Sequence, residues 1–300
     1  TGGEIFCRSD SIELIKDTIN MGLNVSIETN GTMITESQIK ELSQYKDNLS
    51  MSISLDGITS ETNNLTRGNG SFEKTFNTIK KYNIPLRIIT VLSDNNYDEI
   101  PKLAKTIHEE LGLGFRLLPN IIEYGKGVTA NDEYGVSYPK IKKLMDDFYY
   151  DFLRKHAEDE NLTIELNMAI IPIDIYRHSF CPWGKAMLGI GYSGNVALCH
   201  VASDNDMFIF DNVKNNKISD IWKYNKKLLK FVNENPDDLK GVCGNCLARS
   251  LCRGGCRLHA MSKYLGDFYA PDPDCQKVYD IGMFPEYALD DVEKVCNYEK

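Results

Sequence analysis

No apolar run in this 300-residue chain approaches the roughly 18 residues that a membrane-spanning helix needs. The first residues, Thr1, Gly2, Gly3 and Glu4, make neither the basic region nor the apolar stretch of a secretory signal. Cationic side chains are in short supply: 34 Lys and Arg stand against 43 Asp and Glu, a net charge of −9. That deficit argues against sequence-independent binding to a phosphate backbone, which needs clustered Lys and Arg. Low-complexity tracts and internal repeats are missing, and 42% hydrophobic with 26% charged residues is the composition of a chain able to bury a core. The expectation is a cytoplasmic protein with no nucleic-acid and no membrane partner.

Residues 1–118 alternate helix-period and strand-period segments. Residues 11–20 (SIELIKDTIN) put Ile12, Leu14, Ile15 and Ile19 on one helical face, with Gly22 as the stop. Residues 36–45, 72–82 and 98–110 read as further helices, and 23–28, 49–55, 86–91 and 114–118 as strands, with a short strand expected before Ser9. This makes about five βα units rather than the eight of a closed barrel, so a partial barrel or open parallel sheet is predicted. Each strand runs into a polar or glycine loop, and in such folds ligands bind at those C-terminal strand ends. Residues 138–159 read as an amphipathic linking helix, and the boundary of the first unit falls between residues 120 and 168. After residue 181, short strands, turns and cysteine loops take over, with one helix near 218–233.

Cysteine is what the chain has in plenty: Cys7, Cys181, Cys199, Cys243, Cys246, Cys252, Cys256, Cys275 and Cys296. Seven of these fall between residues 181 and 275. In a cytosolic chain of this length thiols stay reduced, so metal ligation is a better reading than disulfides. The run is Cys181, twelve residues, Gly194, four residues, Cys199; then Cys243-x2-Cys246-x5-Cys252-x3-Cys256; then Cys275. Thiolates are the natural ligands of 4Fe-4S clusters, and short spacings let a loop wrap a cube. Gly254 and Gly255 suit a close approach of backbone to such a group. A single structural zinc held by Cys243, Cys246, Cys252 and Cys256 is the alternative, and it leaves Cys181, Cys199 and Cys275 without a task. Cys7 and Cys296 read as ordinary thiols.

At these residues the sequence resembles the SPASM subgroup of radical S-adenosylmethionine (SAM) enzymes. The resemblance implies a partial (β/α)6 radical SAM barrel lacking its first unit over residues 1–125. A linking helix and bridge over 126–180 and a SPASM auxiliary-cluster domain over 181–300 follow. It implies two auxiliary 4Fe-4S clusters, one on Cys243, Cys246, Cys252 and Cys275 and the other on Cys181, Cys199 and Cys256. The fourth iron of the latter is left open, or takes Asp174, His178 or a substrate group.

Gly2-Gly3-Glu4 alone is a weak signal, equally a glycine turn. By resemblance it meets the SAM amino group, with Glu4 accepting from the ammonium. One βα unit on stands Thr29-Asn30-Gly31-Thr32, similar to the family's next strand end. Ser54, in Ser52-Ile53-Ser54-Leu55-Asp56-Gly57, is similar to a serine that contacts SAM. Arg67 resembles the arginine that pairs with the SAM carboxylate, and otherwise reads as a solvated loop residue; Asp56 reads as a cap or turn acid.

The family's Cys-x3-Cys-x2-Cys loop does not occur in this sequence. The expectation is that this loop and a third 4Fe-4S cluster belong to residues upstream of Thr1. The resemblance then implies a radical SAM maturase of a cysteine-containing, ribosomally made precursor peptide, served by a flavodoxin or ferredoxin. Sulfatase-maturing members carry aspartate after the second cluster cysteine; here His200 stands there. A Cys-His pair looks more like thioether-forming maturases, with His200 as proton acceptor or simply a structural histidine. A formylglycine-forming enzyme, an electron-transfer scaffold and a zinc-stapled binding module are the alternatives.

Overall fold

The computed structural model describes residues 3–81, 84–119, 126–164 and 181–290. Five strands, β1 (Val25–Thr29), β2 (Leu49–Ser54), β3 (Leu86–Val91), β4 (Gly114–Leu118) and β5 (Leu162–Ile164), pair in parallel in chain order. Helices α1 (Ser11–Asn20), α2 (Glu36–Leu42), α3 (Ser60–Arg67), α4 (Ser71–Lys81) and α5 (Ile100–Lys105) fill the crossovers, and α5 runs on through a π-helical turn to Glu110. Local sequence sets these starts: Thr35 and Gln38 form a reciprocal capping box on α2, and the Thr59 hydroxyl caps α3.

One face of the sheet carries Ile27, Met51, Ile53, Ile88, Phe115 and Leu117, all nearly free of solvent and clustered with Ile15, Leu42, Ile79 and Leu103 of the helices. Each such side chain contributes about 1.5–3 kcal/mol by burial. Registered residues share a face. The opposite face therefore carries Glu28, Ser52 and Arg87 in one row, with Arg116 beside Ile89 in the next.

Helices α6 (Lys126–Tyr134) and α7 (Tyr138–Leu144) follow; α7 continues through a π-helical turn, Met145–Tyr149, into α8 (Tyr150–Lys155). Beyond residue 181 the elements shorten. Strands β6 (Gly189–Ile190), β7 (Asn195–Ala197) and β8 (Ile209–Asn212) form an antiparallel sheet. Helices α9 (Ile218–Tyr224), α10 (Lys226–Val232), α11 (Gly241–Gly244), α12 (Arg249–Cys252), α13 (Arg257–Lys263) and α14 (Pro273–Asp280) complete the chain as described. The apolar core of the parallel sheet extends to Val242, Cys243, Cys246, Cys275, Val278 and Phe284, while Trp183, Val196, Leu198, Phe208, Leu228 and Met261 belong to a second cluster.

Four expectations change. No strand forms before Ser9: Ile5–Cys7 is a 3-10 turn, because the Glu4 carboxylate accepts from Phe6 N and closes it. Helix α3 was not legible in the sequence, and it places Arg67 in a last helical turn rather than in a loop. The helix near 218–233 is broken at Asn225, whose extended backbone ends α9 while its side chain caps α10. The linking helix stops at Lys155, short of residue 159.

Candidate functional site

Cys243, Cys246, Cys252 and Cys275 line one cavity together with Val242, Arg249, Gly254 and Phe284. Four short elements deliver them. Cys243 lies in α11 and Cys252 ends α12, with Cys246 between the two helices. Cys275 sits in the first turn of α14, where Asp272 Oδ1 accepts from Asp274 N and Cys275 N at 3.1 and 3.0 Å. Asp272 N in turn donates to Cys243 Sγ at 3.2 Å. Burial raises the Cys243 thiol well above its ordinary value and pushes Cys252 up to about 11, with Asp272 adding to both. Thiols this deeply buried ionise only when a cation or metal takes the charge, so this donor set fits a thiolate-held metal group.

Cys256 points elsewhere. Burial pushes it up to about 11, and the thiols that act on it are Cys181 and Cys199. Desolvation, followed by Cys199, also raises Cys181. The structure thus brings Cys181, Cys199 and Cys256 into one neighbourhood, and it is Cys275 rather than Cys256 that completes the four-thiol cavity. A zinc ion needs its sulfurs drawn to one point at about 2.3 Å. Among the described residues no three His, Cys, Asp or Glu side chains gather around a single-ion site. Asp174 and His178 lie outside the described residues, as does Cys296; Cys7 is exposed.

Between Cys252 and Cys256 the backbone takes three successive positive φ values, 55° at Arg253, 74° at Gly254 and 67° at Gly255. A Cβ on Gly255 would lie 2.4 Å from Asp272 Oδ2. Glycine is required there on both counts, conformational and steric.

At the C-terminal rim of the parallel sheet, Glu4 joins two loops. Its Oε1 accepts from Thr29 Oγ1 at 2.7 Å and from Phe6 N at 3.2 Å, and its Oε2 accepts from Asn30 N at 2.8 Å. A carboxylate has about four acceptor sites, so one remains for an ammonium. Gly2 lies outside the described residues, and Gly3 is exposed directly before Glu4. The pairing of Thr29 with Ile53 brings Asn30 and Ser54 to neighbouring strand ends. The Asn30 side chain is turned to Thr32, and α4 clamps the loop through Thr75 Oγ1 to Asn30 O and Thr78 Oγ1 to Gly31 O.

Asp56 is more than a cap. Buried, it accepts from Arg67 Nε at 2.6 Å, Arg67 Nη2 at 3.1 Å, Thr66 Oγ1 at 2.9 Å and Val91 N at 3.0 Å. Two of the five Arg67 N–H donors are thus engaged, leaving both hydrogens of Nη1 and one of Nη2 to offer a ligand.

The polar sheet face was missed from the sequence. Arg87 Nε is buried there with no hydrogen-bond partner. Burial lowers the Arg116 guanidinium from its ordinary value, Glu28 raising it and Arg87 lowering it further. Glu28 also acts on His200, whose imidazole partial burial holds below its ordinary value. The available signal was a charge at alternate positions within strands that, when covered on both faces, read as continuously apolar.

A model of the radical SAM superfamily matches residues 1–107, and one of the SPASM iron–sulfur cluster-binding domain matches residues 181–247. An AdoMet-dependent heme synthase of Methanosarcina barkeri is 26% identical over 92% of this chain and 80% of its own length. The PqqA peptide cyclase of Rhizobium meliloti is 26% identical over 92% of this chain and 72% of its own. In fold, the crystal structure of Streptococcus suis SuiB bound to precursor peptide SuiA aligns with a TM-score of 0.66 at 18% identity, covering 92% of this chain and 64% of that one. Residues 1–107 thus carry a radical SAM superfamily domain and residues 181–247 a SPASM iron–sulfur cluster-binding domain.

Proposed function

We propose that this chain is the maturase of a ribosomally made, cysteine-containing precursor peptide, with thioether formation as its reaction. The observation that carries the reading is a strand-end rim on the parallel sheet in one chain with a four-thiol cavity beyond residue 181. Residues 1–125 are the SAM-binding barrel, 126–180 the bridge and 181–300 the auxiliary-cluster domain. Two 4Fe-4S clusters fit the donor sets: Cys243, Cys246, Cys252 and Cys275 hold one, and Cys181, Cys199 and Cys256 hold three irons of the other. When bound, SAM and its reducing cluster supply the hydrogen-abstracting chemistry.

The chain's own residues orient and exclude. Gly2 and Gly3 bring the backbone close to SAM, Glu4 accepts from its ammonium, and the free Nη of Arg67 meets its carboxylate. Asn30 and Ser54 complete the rim. The peptide lies along Glu28, Ser52, Arg87 and Arg116; His200 takes the proton released from the substrate thiol, and the one electron left over when sulfur and carbon join goes to the auxiliary clusters. The electron donor is a flavodoxin- or ferredoxin-like protein, and the compartment is the cytoplasm. No helix among the described residues is long and apolar enough to cross a membrane.

The test incubates the full-length gene product anaerobically with SAM, a reductant and the cysteine-containing peptide encoded beside it. A SAM-dependent mass loss, equal to the hydrogens given up at sulfur and carbon, is the expected result. An unchanged peptide together with turnover of a tetrapyrrole would replace this reading with a heme-type one.

A further inference from the structure

Among the fully buried described side chains the largest is Arg257, only 1% exposed, at the start of α13 directly after Cys256. Its donors go to neutral carbonyls alone. Nη1 reaches Phe268 O at 2.8 Å and Ala270 O at 2.7 Å, Nη2 bonds Gly254 O, and Nε is buried with no partner. Carbonyls carry no net charge, so none of these bonds compensates the guanidinium. A guanidinium so far from water is strongly unfavourable unless an anion shares its site.

The anions at hand are the buried Asp272 carboxylate and the cysteines. Arg257 draws the Cys243 and Cys252 thiols downward, against burial and against Asp272. In sequence it directly follows Cys256, the residue before α13. Gly254 lines the four-thiol cavity, and a Cβ there would lie 2.5 Å from Arg257 Nη2. The left-handed turn thus makes room for a cation beside the four-thiol cavity.

We propose that Arg257 is a buried counter-cation beside the four-thiol cavity and that it tunes the reduction potential of the cluster held there. This rests on the reading of that cavity as a cluster site. Reduction adds one electron and no proton, so a cluster already anionic through its thiolates becomes more so. A fixed cation nearby favours the reduced form, and does so more strongly in a dry interior. Arg257 is a positioning and tuning residue rather than a catalytic one.

The test uses the full chain, reconstituted anaerobically, as wild type, Arg257→Lys and Arg257→Gln. Iron and sulfide per chain are measured, followed by potentiometric titration read by electron paramagnetic resonance. Arg257→Gln is expected to keep its iron and to disfavour reduction of the cluster in that cavity about tenfold, about 59 mV for a one-electron couple. Arg257→Lys should stay near wild type. Loss of iron in Arg257→Gln but not in Arg257→Lys also supports the charge role. Unmoved potentials in a fully loaded Arg257→Gln overturn the proposal, as does equal disturbance in both variants, which would leave Arg257 a staple for carbonyls. A wild type without iron or sulfide overturns the cluster reading itself, an outcome distinct from either.

Discussion

The two halves of this molecule hold their shape by different means. Around the parallel sheet, Ile53, Ile88, Phe115 and Leu117 are fully buried, and helices with their own caps close the crossovers. That half is built mainly by apolar burial. Beyond residue 181, strands run two to four residues and helices four to eight, and buried thiols and a buried guanidinium stand where apolar side chains would otherwise pack. Burial that raises Cys243 and Cys252 is unfavourable in a metal-free protein if they ionise, and becomes useful once a metal group takes the charge. The first half is a scaffold, and the second is a cage completed by what it holds.

Chelating the iron is the strongest way to break this comparison. Amide hydrogen exchange should then rise sharply across residues 181–290 while β1 to β4 keep their protection; equal loss in both halves would mean that they fold as one unit. The converse perturbation, Ile53→Ala, should destabilise the chain by about 2–5 kcal/mol in denaturant unfolding and leave iron per chain unchanged.

Asp56→Asn weakens the clamp on Arg67, with a cost of about 1–3 kcal/mol and weaker SAM binding by calorimetry; unchanged SAM affinity would remove Arg67 from the site. Arg87, whose Nε has no partner, should behave oppositely. Arg87→Met should stay within about 0.5 kcal/mol of wild type in stability, while peptide turnover by the full-length enzyme falls.

The smallest effect expected is at Glu109, held down to about 2 by Lys155 and then His156. A depressed carboxylate contributes stability that is full above its ordinary value and is lost as pH falls through about 2. Thermal midpoints measured down this range should show a shallow acid loss that Glu109→Gln removes.

Much of the sheet was legible because its signals are local: alternation in residues 49–54, a helical face in 11–20, polar ends on each strand. Seven cysteines at short spacings marked the cage for the same reason. What escaped needed tertiary information. Helix α3 is polar along most of its length, with only Asn63 buried, so periodicity gave no sign of it and Arg67 was placed in a loop. The strand expected before Ser9 lost to a side-chain hydrogen bond from Glu4 that only the folded chain creates. Arg87, Arg116 and Arg257 look like ordinary surface cations in one dimension. Their meaning comes from burial.

The most direct measurement is iron and acid-labile sulfide per chain in these 300 residues, purified anaerobically, beside Cys252→Ala and Cys256→Ala variants. The account predicts about eight of each, with Cys252→Ala losing one cluster and Cys256→Ala the other. Bound zinc without sulfide, or both variants depleting the same cluster, would contradict it.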